Sequence, residues 1–233
     1  MLVPIILISI ACVTLFWFLF EKVKAYSVKA VLIKALCSML FIAVAAYGIS
    51  KTTLTVFPTF AIIALAFGML GDIFLDLKYV YKQNDYEFTM AGFSVFGVGH
   101  ILYVTGMFLE FYHGQNVLYI IIPLVFGVLM GPVTLFVSKL SGVKYGKFKT
   151  IALFYAMTLF STVATAFSLW MMSGFSHHGV LLIFIGGVLF AISDLILNMT
   201  YFAENHEKPF DIISNTITYY AAQFLIALSI MII

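Results

Sequence analysis

Long apolar runs follow one another along the whole chain, separated by short clusters of Lys, Gly, Pro and Asn. Each run has the length of a membrane-spanning helix, because about 20 helical residues cross a hydrocarbon core about 30 Å thick. The pattern predicts eight such spans. They cover residues 2–20, 29–49, 55–77, 89–111, 117–138, 149–172, 178–202 and 212–232. The first run lacks the charged segment and cleavage site of a secretory signal peptide, so we expect it to be retained as a span.

The composition fits a membrane protein and not a soluble domain. Of the 233 residues, 64% are hydrophobic and 9% are charged, whereas soluble proteins carry about 25% charged residues. The alternating segments of an outer-membrane barrel are missing, so the predicted fold class is an all-α polytopic bundle forming a single transmembrane domain over residues 1–233. The net charge of +2 comes from dispersed lysines. We therefore expect membrane lipids as partners and no nucleic acid.

The lysines predict the orientation of the bundle. Ten of them lie in the loops after the first, third, fifth and seventh spans, whereas the even-numbered loops and both termini contain only Lys51. Because cytoplasmic loops are enriched in positive charge, both termini are predicted to lie on the non-cytoplasmic side. The short loops favour a bacterial plasma membrane.

Polar side chains inside the spans are the candidates for function, since burying them in a membrane is costly. Asp72 and Asp76 lie four residues apart and share a face of the third span. Asp194 and Asn198 repeat this spacing on the seventh span. Further candidates are Lys34 on the second span, His100 and Tyr103 on the fourth, and Tyr219, Tyr220 and Gln223 on the eighth. All of them lie in the predicted cytoplasmic half of the membrane.

Three of these residues also have a purely structural interpretation. Asp76 lies close enough to Lys78 to be a carboxylate at the headgroup level. Lys34 is near a span end, where a lysine often extends towards the membrane surface. His100 is equally compatible with a hydrogen bond that joins two helices.

An internal similarity links the two aspartate-bearing spans. Residues 71–76 read GDIFLD and residues 193–198 read SDLILN, at an offset of 122 residues or four spans. The same offset carries Lys34 to Ala156, which is the neighbour of Tyr155. Because four is an even number of spans, the pattern predicts two parallel four-helix repeats with a site at their interface. Asp72 and Asp194 would then face each other across one cavity.

Two carboxyl groups in a poorly hydrated cavity cannot both ionise cheaply, so one is expected to retain its proton. A neutral acid beside an ionised one suits general acid catalysis combined with cation stabilisation or water activation. Nucleophilic catalysis is less supported, because there is no G-x-S-x-G elbow and no histidine base is assigned to Ser193. Catalytic zinc usually takes three protein ligands, and His100 is the single span histidine on this side. We therefore expect no metal and no cofactor.

At these residues the chain resembles the YhhN-like lysoplasmalogenases, eight-span membrane proteins that hydrolyse the vinyl ether bond of lysoplasmalogens. The resemblance is carried by Lys34, Gly71-Asp72, Leu75, Phe88, Gly92, Phe96, His100, Tyr103, Tyr155, Gly187 to Phe190, Ser193-Asp194, Phe202 and Tyr220-Ala221-Ala222-Gln223. After the lysine of the second span the family typically has proline, and this chain has Ala35.

The resemblance implies a lysophospholipid substrate and makes Asp72 and Asp194 the predicted catalytic pair. The predicted supporting residues are Lys34, Asp76, His100, Tyr103, Tyr155, Ser193, Asn198, Tyr219, Tyr220 and Gln223.

The same predicted cavity is compatible with two other functions. Intramembrane carboxylates and a four-plus-four repeat are also typical of proton-coupled transporters, here of a lipid-like or small amphipathic substrate. A metal-dependent intramembrane lipid hydrolase would need Asp76 and Asn198 as further ligands around His100.

Overall fold

The computed structural model describes residues 2–52, 55–203 and 208–233, and the regular structure within these ranges is helical. The long helices are α1 (Leu2–Lys24), α2 (Val28–Ile49), α3 (Val56–Val80), α4 (Asp85–Phe111), α5 (Leu118–Leu140), α6 (Lys149–Met172), α7 (His178–Phe202) and α8 (Pro209–Ser229). Each begins and ends within four residues of its predicted position. Single 3₁₀ turns, Lys82–Asn84 and Gly146–Phe148, precede α4 and α6.

Within the described ranges, the seven helices α1 to α7 are long and apolar enough to cross a membrane. This supports a membrane helix bundle. The last helix, α8, is less apolar because Asn215, Tyr219 and Gln223 recur on one of its faces every four residues. Its crossing of the membrane, like the sidedness of the termini, stays a prediction.

Local sequence explains several details of the helices. Ser27 caps the start of α2, where its side chain accepts a hydrogen bond from the Ala30 amide at 3.2 Å. Gly127 and Gly131 let α5 approach α6 closely, since a Cβ atom at Gly127 would lie 2.0 Å from the Ser161 Oγ. The spacing of these two glycines is that of a membrane helix-packing motif.

The packing of the helices repeats between the two halves of the chain. In the first half α1 packs on α2, α2 on α3 and α3 on α4, and in the second half α5 packs on α6, α6 on α7 and α7 on α8. The halves meet where α4 packs on α6 and where α8 packs on α2. If each helix number is shifted by four, the contact between α4 and α6 becomes the contact between α8 and α2. This symmetry agrees with the predicted repeat.

The loops after α1, α3, α5 and α7 gather at one end of the bundle, which we call the lysine-rich end. The Tyr26 ring stacks on Tyr79 at a centroid distance of 4.1 Å, and Tyr79 contacts Tyr201 at 5.9 Å. In the same region the Lys144 amide donates a 2.8 Å hydrogen bond to the Phe202 carbonyl. These contacts bring together the ends of α3 and α7, the two helices that carry Asp72 and Asp194.

Candidate active site

Asp72 of α3 is a buried carboxylate that only accepts hydrogen bonds. Its Oδ2 receives the Ser38 hydroxyl at 2.6 Å and the Tyr219 hydroxyl at 2.9 Å. The Lys34 Nζ lies 3.3 Å from its Oδ1. A carboxylate with three donors directed at it is stabilised in its ionised form. These contacts favour the ionised form of Asp72.

Asp76 lies one helical turn along α3 and is also buried. Its Oδ1 is 2.7 Å from the Lys22 Nζ and 3.5 Å from the Lys34 Nζ. Asp76 therefore belongs to a buried group of ion pairs with Lys22 and Lys34, which favours a role at the site over that of a carboxylate at the headgroup level. Two lysines and two aspartates form a buried cluster whose formal charges cancel.

Asp194 of α7 has different surroundings. Its Oδ2 accepts a hydrogen bond from the Tyr155 hydroxyl of α6, and among the described residues no lysine or histidine lies within ion-pair distance of it. The side chain is 6% exposed. A desolvated carboxyl group without a cation is cheaper to keep neutral than charged. Asp194 is therefore the aspartate of the pair whose surroundings favour the neutral form.

Asp72 and Asp194 line the same small cavity, as the internal similarity predicts. The cavity measures about 30 Å³, and a space of about 10 to 15 Å³ is enough for the centre of one water molecule. Its lining residues are Lys22, Lys34, Asp72, Leu75, Phe96, Ser193, Asp194, Leu197, Tyr201, Asn215, Thr216 and Tyr219. We call this space the carboxylate cavity.

A second, smaller cavity of about 10 Å³ is also lined by Asp194. Tyr155 and Asn198 are among its lining residues, together with Thr134 of α5. Asp194 therefore lines two small spaces, and Asn198 belongs to the one that Asp72 does not line.

Polar side chains of α8 connect Asp72 to α4 in a directed chain of hydrogen bonds. The Tyr103 hydroxyl donates to the Gln223 Oε1 at 3.4 Å, and the Gln223 Nε2 donates to the Tyr219 hydroxyl at 2.9 Å. Tyr219 in turn donates to Asp72. Every donor points towards the carboxylate, and such a chain strengthens its own members by polarisation.

Tyr220 and Ser193 fix the helices around the two aspartates. The Tyr220 hydroxyl is 3.0 Å from the Ser38 hydroxyl and donates to the Lys34 carbonyl at 3.1 Å. Next to Asp194, the Asn215 amide donates to the Ser193 carbonyl at 2.7 Å and to its hydroxyl at 2.9 Å. These bonds tie α8 to α2 on one side and to α7 on the other.

His100 does not line either cavity. Its Nδ1 is 3.2 Å from the Thr162 hydroxyl of α6, and its ring packs against Phe190 at a centroid distance of 4.8 Å. The histidine therefore joins α4 to α6, which is the structural interpretation given above. Within the described ranges, no three His, Cys, Asp or Glu side chains are grouped so as to hold a metal ion. His100 contacts Thr162, Asp76 contacts Lys22 and Lys34, and Asn198 lines a cavity that neither His100 nor Asp76 lines.

A larger cavity lies elsewhere in the bundle. It measures about 700 Å³ and runs between α5, α6 and the start of α7, lined mainly by side chains such as Ile122, Phe126, Phe167 and Phe184. Among the described residues, no carboxylate, lysine or histidine lines it. We therefore place the candidate site in the carboxylate cavity and not in this larger space.

Three residues of the site escaped the sequence analysis. Ser38 lies four residues after Lys34 on the same helical face, and Asn215 precedes Tyr219 by the same spacing, so the periodicity contained a signal for both. Lys22 had no such signal. Its position near the end of a span made it indistinguishable from the lysines of the loop.

The fold and the site together define a class: a polytopic helical membrane protein with a buried, charge-balanced cavity that contains two unlike aspartates. The sequence model of the YhhN family matches residues 29–230, so the chain belongs to the YhhN family. The match leaves out α1 and with it Lys22. No curated protein and no solved structure matches the chain.

Proposed function

We propose that the protein hydrolyses the vinyl ether bond of lysoplasmalogens, releasing a fatty aldehyde and a glycerophospho-base. One observation carries the proposal. Two aspartates line one cavity, but Asp72 is ion-paired and accepts further hydrogen bonds, whereas Asp194 has a tyrosine partner and no cation among the described residues. This asymmetry supplies the neutral acid and the fixed carboxylate that the reaction needs.

In this mechanism Asp194 donates its proton to the vinyl carbon that is remote from the ether oxygen. The carbon attached to oxygen becomes an oxocarbenium ion, and the carboxylate of Asp72 stabilises this charge across the cavity. Water then adds to that carbon, and its proton returns to Asp194. Collapse of the hemiacetal breaks the bond between carbon and the ether oxygen, which leaves an aldehyde and a glycerol hydroxyl.

The supporting residues hold the two acids in different states. Lys34, Ser38 and Tyr219 stabilise the charge of Asp72, and Tyr155 orients the carboxyl group of Asp194. Pockets for drug-sized ligands measure about 300 to 1,000 Å³, whereas the carboxylate cavity measures about 30 Å³. Substrate binding therefore requires the helices around the cavity to separate.

The test is an aldehyde assay with purified protein in detergent and a vinyl ether lysophospholipid. We expect aldehyde release that a chelator does not change, and a loss of about 10²- to 10⁴-fold in Asp72→Asn and in Asp194→Asn, the range typical of removing an acid–base group. An exposed substitution on the same protein, Lys24→Met, serves as the control. Aldehyde release that survives in either aspartate variant would remove that residue from the mechanism.

The two roles are separated by chemical rescue. Formic acid added to Asp194→Ala should restore activity in proportion to the protonated acid, because the truncation leaves space and the missing group is a proton donor. In Asp72→Ala the formate anion should be the effective species, because the missing group is a charge. Uptake of the lipid into proteoliposomes without aldehyde would instead indicate a transporter, and chelator-sensitive release a metal-dependent hydrolase.

A further inference from the structure

Two lysine side chains reach the carboxylate cavity, and one of them comes from a helix outside the family match. The side chains of Lys22 on α1 and Lys34 on α2 are 10% and 12% exposed, and both line the cavity. Both ammonium groups approach the same oxygen of Asp76, at 2.7 and 3.5 Å, so they are close neighbours. Two cations held side by side at a cavity wall are an arrangement that an anion can bridge.

The position of Lys22 is unusual for a lysine near a helix end. Such a side chain normally extends to the headgroup region, where water solvates its charge. Lys24, two residues further along α1, does this and is exposed. Lys22 turns inward, where its ammonium packs over the rings of Phe18 at 5.3 Å and Tyr79 at 5.9 Å. Desolvating a lysine is costly, and at this position Lys22 pairs with Asp76 while Lys34 lies between Asp76 and Asp72.

We propose that Lys22 and Lys34 bind the phosphate group of a lysophospholipid. The proposal rests on the proposed function and adds to it the part of the substrate that is recognised. An ammonium group has three N–H donors, and in the described part of the chain Lys22 gives one hydrogen bond, to Asp76. Lys22 therefore retains donors for phosphate oxygens, which a lysine contacts as a compact point charge.

The depths of the residues match the order of groups along such a lipid. At 1.5 Å per residue, Asp72 and Asp194 lie about 12 Å inside the helix ends at Val80 and Phe202, whereas Lys34 lies about 9 Å inside the start of α2 and Lys22 about 3 Å inside the end of α1. The phosphate of a lysophospholipid lies at the membrane surface, and its vinyl ether lies below it, beyond the glycerol carbons. A phosphate on the two lysines would thus place the vinyl ether between the two aspartates.

Binding without turnover tests this proposal separately from the hydrolysis. The probes are a saturated 1-O-alkyl lysophospholipid and the 1-O-alkylglycerol with the same chain, which differ by the phosphate headgroup and contain no vinyl ether. Wild-type protein in detergent should bind the phospholipid more tightly than the alkylglycerol. In Lys22→Met this preference should fall about ten- to a hundredfold, the effect of losing a hydrogen bond to a charged group. Lys24→Met should keep it.

A double variant distinguishes phosphate binding from a simple ion pair. If Lys22 only neutralises Asp76, then Lys22→Met/Asp76→Asn should regain the wild-type preference, because no charge is left unpaired. If Lys22 binds phosphate, the double variant should stay as weak as Lys22→Met. Recovery in the double variant would overturn the proposal.

The wild-type protein alone provides a further outcome, which does not depend on how the variants fold. Equal affinity for the two probes would overturn the phosphate site even if aldehyde is released from a vinyl ether substrate. A clear preference for the phospholipid without any aldehyde release would support the site and contradict the proposed hydrolysis.

Discussion

Replacing Lys34 by methionine is the perturbation that most directly tests the buried charge cluster. The substitution keeps the approximate length of the side chain and removes its charge. Asp72 and Asp76 would then share one remaining cation, Lys22, whose ammonium lies on Asp76. Asp72 would keep the hydroxyl donors of Ser38 and Tyr219 but would lose its ion pair.

The expected cost follows from the distances. At an effective dielectric constant of about 20, a charge pair 3.3 Å apart attracts by about 5 kcal/mol. Desolvation consumes part of this attraction in the intact pair, but a carboxylate left unpaired in the interior still costs about 3 to 5 kcal/mol of stability. We therefore expect Lys34→Met to lower the free energy of unfolding by about 3 kcal/mol.

The assay is equilibrium unfolding in mixed detergent, followed by the loss of helical circular dichroism. Lys34→Met/Asp72→Asn should recover more than half of the lost stability, because the amide that replaces the carboxylate is neutral and still accepts from Ser38 and Tyr219. Lys24→Met, at an exposed position on α1, should leave the unfolding curve unchanged. A single variant as stable as the wild type, or a double variant less stable than the single one, would refute the ion-pair reasoning.

Five further substitutions, one of them a control, probe the packing and the hydrogen bonds around the candidate site. Tyr155→Phe removes the donor to Asp194, and we expect an intact fold with aldehyde release reduced about tenfold. Gly71→Ala would place a Cβ 2.4 Å from the Phe96 ring, so both stability and activity should fall, by about 1 to 3 kcal/mol in unfolding. Gly97→Ala, where the nearest atom lies 3.8 Å away, is its control. Gln223→Leu should lower aldehyde release without abolishing it, since Tyr219 still reaches Asp72. Thr162→Val should lower the free energy of unfolding by about 1 to 3 kcal/mol, with little change in the rate at which the folded protein releases aldehyde. Aldehyde assays and unfolding curves on the same preparations separate these outcomes.

The helices could be predicted from the sequence because a membrane imposes one strong rule, a helix-length apolar run for each crossing. The shared cavity could be predicted from a similarity of six residues, GDIFLD with SDLILN, because repeated halves place equivalent side chains at equivalent depths. The partners of the aspartates were harder to predict. Whether a lysine near a span end extends to the surface or turns inward depends on the neighbouring helices, so Lys22 and Lys34 have similar sequence contexts and gave no forecast of a common partner.

His100 is a polar residue inside a span that the sequence placed at the site and that instead joins two helices. A histidine inside a span suggested a role at the site, since ionisable residues in membranes are costly and usually functional. A neutral imidazole is much less costly to bury than a charge, however, and a single hydroxyl, that of Thr162, holds its Nδ1. Polarity alone therefore does not separate a residue that bridges two helices from one that faces a cavity.

The difference between the two aspartates originates in the helix that precedes each of them in the repeat. In the first half, α2 presents Lys34 to Asp72, and in the second half α6 presents Tyr155, beside the equivalent position, to Asp194. Both partners direct a hydrogen-bond donor at a carboxyl oxygen, but only the lysine carries a positive charge. A symmetric pair of lysines would favour two ionised carboxylates and leave no acid, and a symmetric pair of tyrosines would leave both carboxyl groups without a cation. A lysine on α2 and a tyrosine beside the equivalent position on α6 thus give the two aspartates unlike surroundings, and the proposed roles of proton donor and fixed charge rest on this difference.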